Sequence, residues 1–269
     1  MSVGRGVLVV ASVGALALLV RSLLIGPLPM PVAIAAMACY LAVALCGVFF
    51  PSLAMFGDVV CRGPRHTPAV ALTFDNGPHP VHTRKVLDTL DATHAKATFF
   101  VLGCNAESHP DVVREITARG HEVGVRGFQQ DKRLGLRNPR RIESDLKRAI
   151  DAVQHATGIR PTLFRPPSRW VAPRLFAVAE RLELTIVGAS VCGHDSNDGA
   201  CSRDVGTRVR RGLKPGAIVQ LHDAIATGDR CPAGVEALPA ILDAAYARGL
   251  RCVSWTPFAG DEGSAASVG

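Results

Sequence analysis

Residues 69–78 read Ala-Val-Ala-Leu-Thr-Phe-Asp-Asn-Gly-Pro. A short β-rich apolar run bounded by turn formers is the pattern of a buried strand. It delivers two polar side chains, Asp75 and Asn76, at its carboxyl end. Similar apolar runs recur downstream, at Ala97–Leu102, His121–Val125, Thr162–Arg165, Leu184–Ala189, Ala217–Leu221 and Arg251–Ser254. Between them lie helical patterns at about His82–His94, Asp111–Arg119, Pro139–Thr157, Pro173–Arg181, Ser202–Gly212 and Ala233–Arg248. Pro139 and Pro173 suit a first helical turn, and Gly120, Gly158, Gly212 and Gly249 suit helix ends. Strands alternating with helices predict an α/β fold with a parallel sheet, either closed as a barrel or open and doubly wound. No Gly-rich phosphate loop follows any strand.

The reactive side chains fall at the strand ends. Asp75 and Asn76 follow the first strand, and Arg126 and Gln130 follow the third. Arg165 ends the fourth, Cys192 follows the fifth, and His222-Asp223 follow the sixth. That is the face on which barrel enzymes assemble their sites.

The chain ahead of this unit has a different character. Residues 1–57 carry two charges, Arg5 and Arg21, and every acid lies at Asp58 or beyond. A bilayer core of about 30 Å needs about 20 apolar residues in a helix. Residues 6–25 and 31–56 therefore read as two hydrophobic helices joined by Gly26-Pro27-Leu28-Pro29, and 1–57 as a membrane-anchoring region. One span with an interfacial helix is the alternative. Residues 58–68 read as a linker, 69–256 as the folded unit and 257–269 as a flexible tail. The expected location is the membrane, multi-pass through two helices, with the side carrying the folded unit left open. Arg5, Arg62 and Arg65 lean it toward the cytoplasm.

Composition narrows the partners. The net charge is +7, but the basic residues are dispersed, and two Trp and two Tyr supply no aromatic–basic stripe, so no nucleic-acid partner is expected. The eight cysteines form no CxxC pair, which leaves both disulfides and free thiols open.

Five segments then match one family. Thr73-Phe74-Asp75-Asn76-Gly77-Pro78 resembles the TFDDGP motif of polysaccharide deacetylases, the NodB-homology domain of carbohydrate esterase family 4. Lys96–Gly103 resembles its second strand, and Gly120-His121-Glu122-Val123-Gly124 the lead-in to its HxxxH motif. Phe164-Arg165-Pro166-Pro167 is similar to its FRPP motif and Leu221-His222-Asp223 to its LHD motif. The resemblance implies a distorted (β/α)7 barrel and hydrolysis of acetyl groups, at carbon–nitrogen bonds or esters, from a polysaccharide or oligosaccharide. It implies catalytic roles for Asp75 as base, Arg165 as its orienting group and His222 as acid, with a divalent metal, commonly zinc, that activates water and polarises the carbonyl.

At the three ligand positions of that family this chain has Asn76, Arg126 and Gln130. An amide oxygen is a weak zinc ligand and a guanidinium is none, so no metal is expected; zinc or another divalent ion returns only if that reading fails. Arg126, Pro166, Pro167 and Trp170 are the candidate substrate-binding residues. Ala189 and Cys192 lie near the family's fourth-motif aromatic and Asp, which implies that His222 lacks its usual carboxylate partner. Three readings follow: a glycan-binding or scaffold pseudoenzyme at the membrane, a metal-free hydrolase with Arg126 as electrophile, or a substitute metal site from Cys104, Cys192, His79 and His82. A plainer role for Arg126 is an ion pair with Asp75 that holds the carboxylate ionised.

Overall fold

A computed structural model describes residues 3–49, 55–168, 172–225 and 228–260. In chain order the elements are α1 (Val3–Ile25), α2 (Met30–Phe49), β1 (Ala69–Asp75), α3 (His82–Ala92), β2 (Thr98–Leu102), α4 (Gly103–Ser108), α5 (Pro110–Ala118), β3 (Glu122–Gly127), α6 (Pro139–Thr157), β4 (Leu163–Phe164), α7 (Pro173–Arg181), β5 (Thr185–Ile186), β6 (Val191–Cys192), α8 (Ser202–Gly212), β7 (Ile218–His222), α9 (Ala233–Tyr246), β8 (Arg251–Val253) and α10 (Trp255–Gly260).

β1 is buried along its whole length because helices cover one face and the barrel interior lies on the other. Side chains alternate along a strand, so Ala69, Ala71, Thr73 and Asp75 share one face while Val70, Leu72 and Phe74 share the other. Val70, Leu72 and Phe74 join the large core beneath the helices. Ala69 and Ala71 belong to a smaller interior cluster with Phe100, Leu163, Val187, Ile218, Trp255 and Phe258. Trp255 and Phe258, ring centroids 6.0 Å apart, thus pack below the polar residues that line the interior above them.

The strands pair in the order β5-β4-β3-β2-β1-β7-β6, every pair parallel. β8 shares an edge of β1 with β2: it pairs with Ala69–Ala71, and β2 with Thr73–Asp75. The result is a parallel half-barrel. β5 and β6 are not paired among the described residues. Part of the stretch read as linker lies at this opening. Val60 bridges Val187 in parallel and Arg62 bridges Ala217 antiparallel. The Val60 amide donates to Ile186 (3.0 Å), and Gly188 donates to the Val60 carbonyl (2.9 Å).

The covering helices follow their sequence patterns. In α6 the Asn138 side chain accepts from the Arg140 amide at 2.9 Å, Pro139 opens the first turn, and Gly158 closes it in the left-handed region at φ 74°. Ile142, Leu146, Ala149, Ile150 and Val153 form its buried stripe. Full burial of such an aliphatic side chain is worth about 1.5–3 kcal/mol, so this stripe fixes the helix on the sheet. Three short elements have no counterpart in the expectations: α4, which opens on glycine without a side-chain cap, the two-residue β6, and α10, which makes the start of the stretch expected to be a flexible tail helical as far as Gly260. α1 and α2 are long and apolar enough to cross a membrane over Gly4–Ile25 and Met30–Gly47, with almost none of that surface buried within the protein. The second helix is described as far as Phe49, and Met55–Gly57 bend, so the helix does not run to the expected residue 56. All eight cysteines are free thiols.

Candidate active site

Asp75 leaves β1 on the interior face and is completely buried. Arg165 donates to its Oδ1 at 2.9 Å, Gln220 donates to its Oδ2 at 2.6 Å, and Arg126 donates to the same Oδ2. Burial alone would raise this carboxyl. The guanidiniums of Arg126 and Arg165, with His222 and the Gln220 amide, outweigh burial and hold it below the usual carboxylate range.

Each donor has a structural reason to be there. Arg165 follows β4 and stacks 4.2 Å over the Phe100 ring. Its remaining donors go to Thr73 Oγ1 (2.6 Å) and to the Val187 (3.2 Å) and Gly188 (2.8 Å) carbonyls. Arg126 sits where β3 slips register: Val101 pairs with Val125 but Leu102 pairs with Gly127. A bulge of this kind re-aims one side chain. Arg126 is 4% exposed and its Nε has no hydrogen-bond partner among the described residues. Burial pulls its guanidinium down from the ordinary value, and Asp75 opposes that shift.

Asn76, in the left-handed region at φ 75°, points its amide oxygen toward Gln130 Nε2 at 3.5 Å. Its carbonyl accepts from Asn105 Nδ2 at 2.8 Å. Arg126 thus bonds Asp75, while Gln130 reaches Asn76, the residue after Asp75. Their chemistry does not fit a dication: one amide oxygen faces an amide N–H, and the third position is a buried cation. The four candidates for a substitute site do not assemble one. Among the described residues no group of three or more His, Cys, Asp or Glu could hold a metal ion. His79 Nε2 instead lies 2.5 Å from Asp229 Oδ1, and its ring stacks on His82 at 3.9 Å.

His222 is not without a carboxylate, contrary to the expectation drawn from Ala189 and Cys192. Its Nδ1 lies 2.8 Å from Asp195 Oδ1, and its amide donates to Asp195 Oδ2 at 2.8 Å. This bond fixes the tautomer and leaves Nε2 for the cavity. Asp195 rests against Gly234, where a Cβ would stand 2.2 Å from Oδ2, so no larger residue fits. Asp223 accepts from the Gly77 amide (3.1 Å) and Thr83 Oγ1 (2.6 Å) and anchors the loop after β1. Burial pushes its carboxyl up to about 6, against the Thr83 hydrogen bond.

Over these groups opens a cavity of about 600 Å³, in the size range of ligand sites. Arg126, Arg165, Pro166, Pro167, Gln220 and His222 line it; Asp75 does not reach its wall. Trp170 lies outside the described residues. Gln220 and Asp195 are the two site residues that sequence reasoning missed. Gln220 had a signal, since it lies two residues before His222 on one strand and must share its face. Asp195 is on an irregular segment where no period applies.

The family profile described as polysaccharide deacetylase matches residues 62–187. A peptidoglycan-N-acetylglucosamine deacetylase of Bacillus cereus is 30% identical over 192 residues, covering 71% of this chain and 68% of the relative. The chain belongs to the polysaccharide deacetylase family. A solved peptidoglycan N-acetylglucosamine deacetylase shares the fold of this family member at a TM-score of 0.70, with 28% identity and coverage of 74% of this chain and 92% of that one. A pseudoenzyme of carbohydrate esterase family 4 from Bacillus anthracis has the same fold at a TM-score of 0.68, with 21% identity over 75% of this chain and 68% of its own.

Proposed function

We propose that this chain is a membrane-anchored member of the polysaccharide deacetylase family that binds acetylated glycan and has lost metal-dependent deacetylation. The observation that carries the reading is the state of Asp75: zero exposure, with Arg126, Arg165 and Gln220 occupying both oxygens. A general base needs a lone pair within reach of the water it deprotonates, and this carboxylate offers none to the cavity. Its role is counter-ion to two buried arginines. Arg126 replaces the charge of a dication with a fixed cation, and Asn76 and Gln130 replace charged or imidazole ligands with amides.

The glycan would lie in the cavity against Pro166 and Pro167, with residues 1–57 holding the domain at the membrane. A specific observation favours a second reading. The His222–Asp195 pair is intact and can deliver a proton to a leaving group, so a metal-free hydrolase with Arg126 as the electrophile stands as the alternative. Acetate release from an acetylated chito-oligosaccharide by the full chain, with and without chelator, separates the readings. The proposal expects binding without release. Chelator-sensitive release would contradict it, and chelator-resistant release abolished by His222→Gln would favour the metal-free hydrolase.

A further inference from the structure

The wall of the cavity has one sign of charge. Among the described residues it presents Arg62, Arg126, Lys132 and Arg165, together with His194 and His222, and no Asp or Glu. The carboxylates bonded to residues of the wall, Asp75 and Asp195, are both fully buried behind it. Asp75 carries one negative charge against the two guanidiniums bonded to it, which leaves one buried positive charge unmatched. Arg62 and Lys132, both exposed at the rim, add two more and are in no ion pair among the described residues.

Arg126 is the independent pointer to a ligand. It is 4% exposed, reaches the cavity wall and makes its hydrogen bond through Nη1 alone. Its Nη2 makes no hydrogen bond among the described residues and, unlike Nε, is not one of the fully buried unpartnered atoms, so Nη2 is the donor that meets the cavity. A guanidinium donor without a partner is met most strongly by an oxyanion, through a charge-assisted hydrogen bond. By contrast, Arg165 spends its donors on Thr73, Asp75 and two carbonyls and acts as a spacer. Arg126 is therefore the group in the wall free to bind.

We propose that the position of the lost metal is an oxyanion subsite, and that the glycan seated here is an acidic one bearing a carboxylate or phosphate that meets Arg126, with Lys132 and Arg62 attracting it at the rim. This rests on the glycan-binding reading above and names its ligand class. Phosphate and carboxylate share the required chemistry, and the probes separate them.

The test is equilibrium binding to the full chain in neutral detergent, with matched sugars: glucuronate against glucose, N-acetylglucosamine 6-phosphate against N-acetylglucosamine, and inorganic phosphate alone. At low salt at least one acidic sugar binds about tenfold or more tighter than its neutral partner, from the strength of charge-assisted hydrogen bonds. The preference shrinks as salt is raised. Arg126→Gln abolishes the preference. Because that variant disturbs a buried ion pair, Lys132→Gln and Arg62→Gln, both at exposed positions, test the charge separately, and each narrows the preference. Tighter binding of glucuronate identifies a carboxylate, and of the 6-phosphate a phosphate; inorganic phosphate binding as tightly as either sugar overturns the glycan part of the proposal. Equal affinity for neutral and acidic sugars overturns the oxyanion subsite and leaves the glycan reading intact. No binding of any sugar overturns both.

Discussion

Asp75 ties β1, β3, β7 and the segment after β4 together through a single carboxylate, because Arg126 lies on β3, Gln220 on β7 and Arg165 just past β4. Removing the charge strands two guanidiniums in the interior, and breaking a buried pair from one side costs about 3–5 kcal/mol. Asp75→Asn is expected to lower the urea midpoint by a corresponding amount. The pair Asp75→Asn with Arg126→Met recovers part of the loss, since the two changes share one interaction. A fold left unchanged by Asp75→Asn would show that the carboxylate is not the counter-ion described here. Two other buried groups set the pH response, with opposite sign. Asp223 sits at about 6 in the folded protein against about 4 unfolded, so the folded state holds the extra proton and stability falls as pH rises across that window. His121 is pulled down to about 4 by burial, then by Lys96. There the unfolded state binds the proton first, and stability falls as pH drops from about 6.5. Each effect is on the order of 3 kcal/mol, and they nearly offset. Relative to the parent, Asp223→Asn adds a rise in stability between pH 4 and 6 and His121→Asn adds a fall; urea titrations at both pH values read each slope directly.

At the scale of elements, legibility followed length. α6, α7 and α8 fall where the caps and periodicity put them, because Pro at the first turn and a buried stripe are local signals. β6 has two residues and α4 begins on Gly103, so neither presents a period that could be read. The site was legible wherever a residue ended a strand, as Asp75, Arg126, Arg165 and His222 do. It was illegible where the partner sits on an irregular segment, as Asp195 does. The least foreseen element is Val60–Arg62, whose pairing spans the gap between β5 and β7 in a stretch that reads as a linker. Val60→Pro deletes the N–H donated to Ile186 and is expected to destabilise the domain by about 1–3 kcal/mol. An unchanged midpoint would return that segment to a passive role.

For the whole molecule, the two apolar helices and the barrel meet at one end of the helical pair. Arg5 near the start of α1 lies 3.0 Å from Asp58, which follows α2. If both helices cross a membrane, the amino terminus and the barrel share a side. Tags at the two chain ends are then expected to show the same protease accessibility in intact vesicles; opposite accessibility would mean that one helix spans and the other does not.

At every scale the proposed loss of metal-dependent chemistry rests on the Arg126 guanidinium bonded to Asp75. Zinc content of the purified full chain after equilibration with the metal tests it most directly, beside the triple change Asn76→Asp, Arg126→His, Gln130→His. The parent is expected to retain well under one equivalent and the triple variant to gain a tightly held ion. One equivalent of zinc bound by the parent and lost in Gln130→Ala would contradict it.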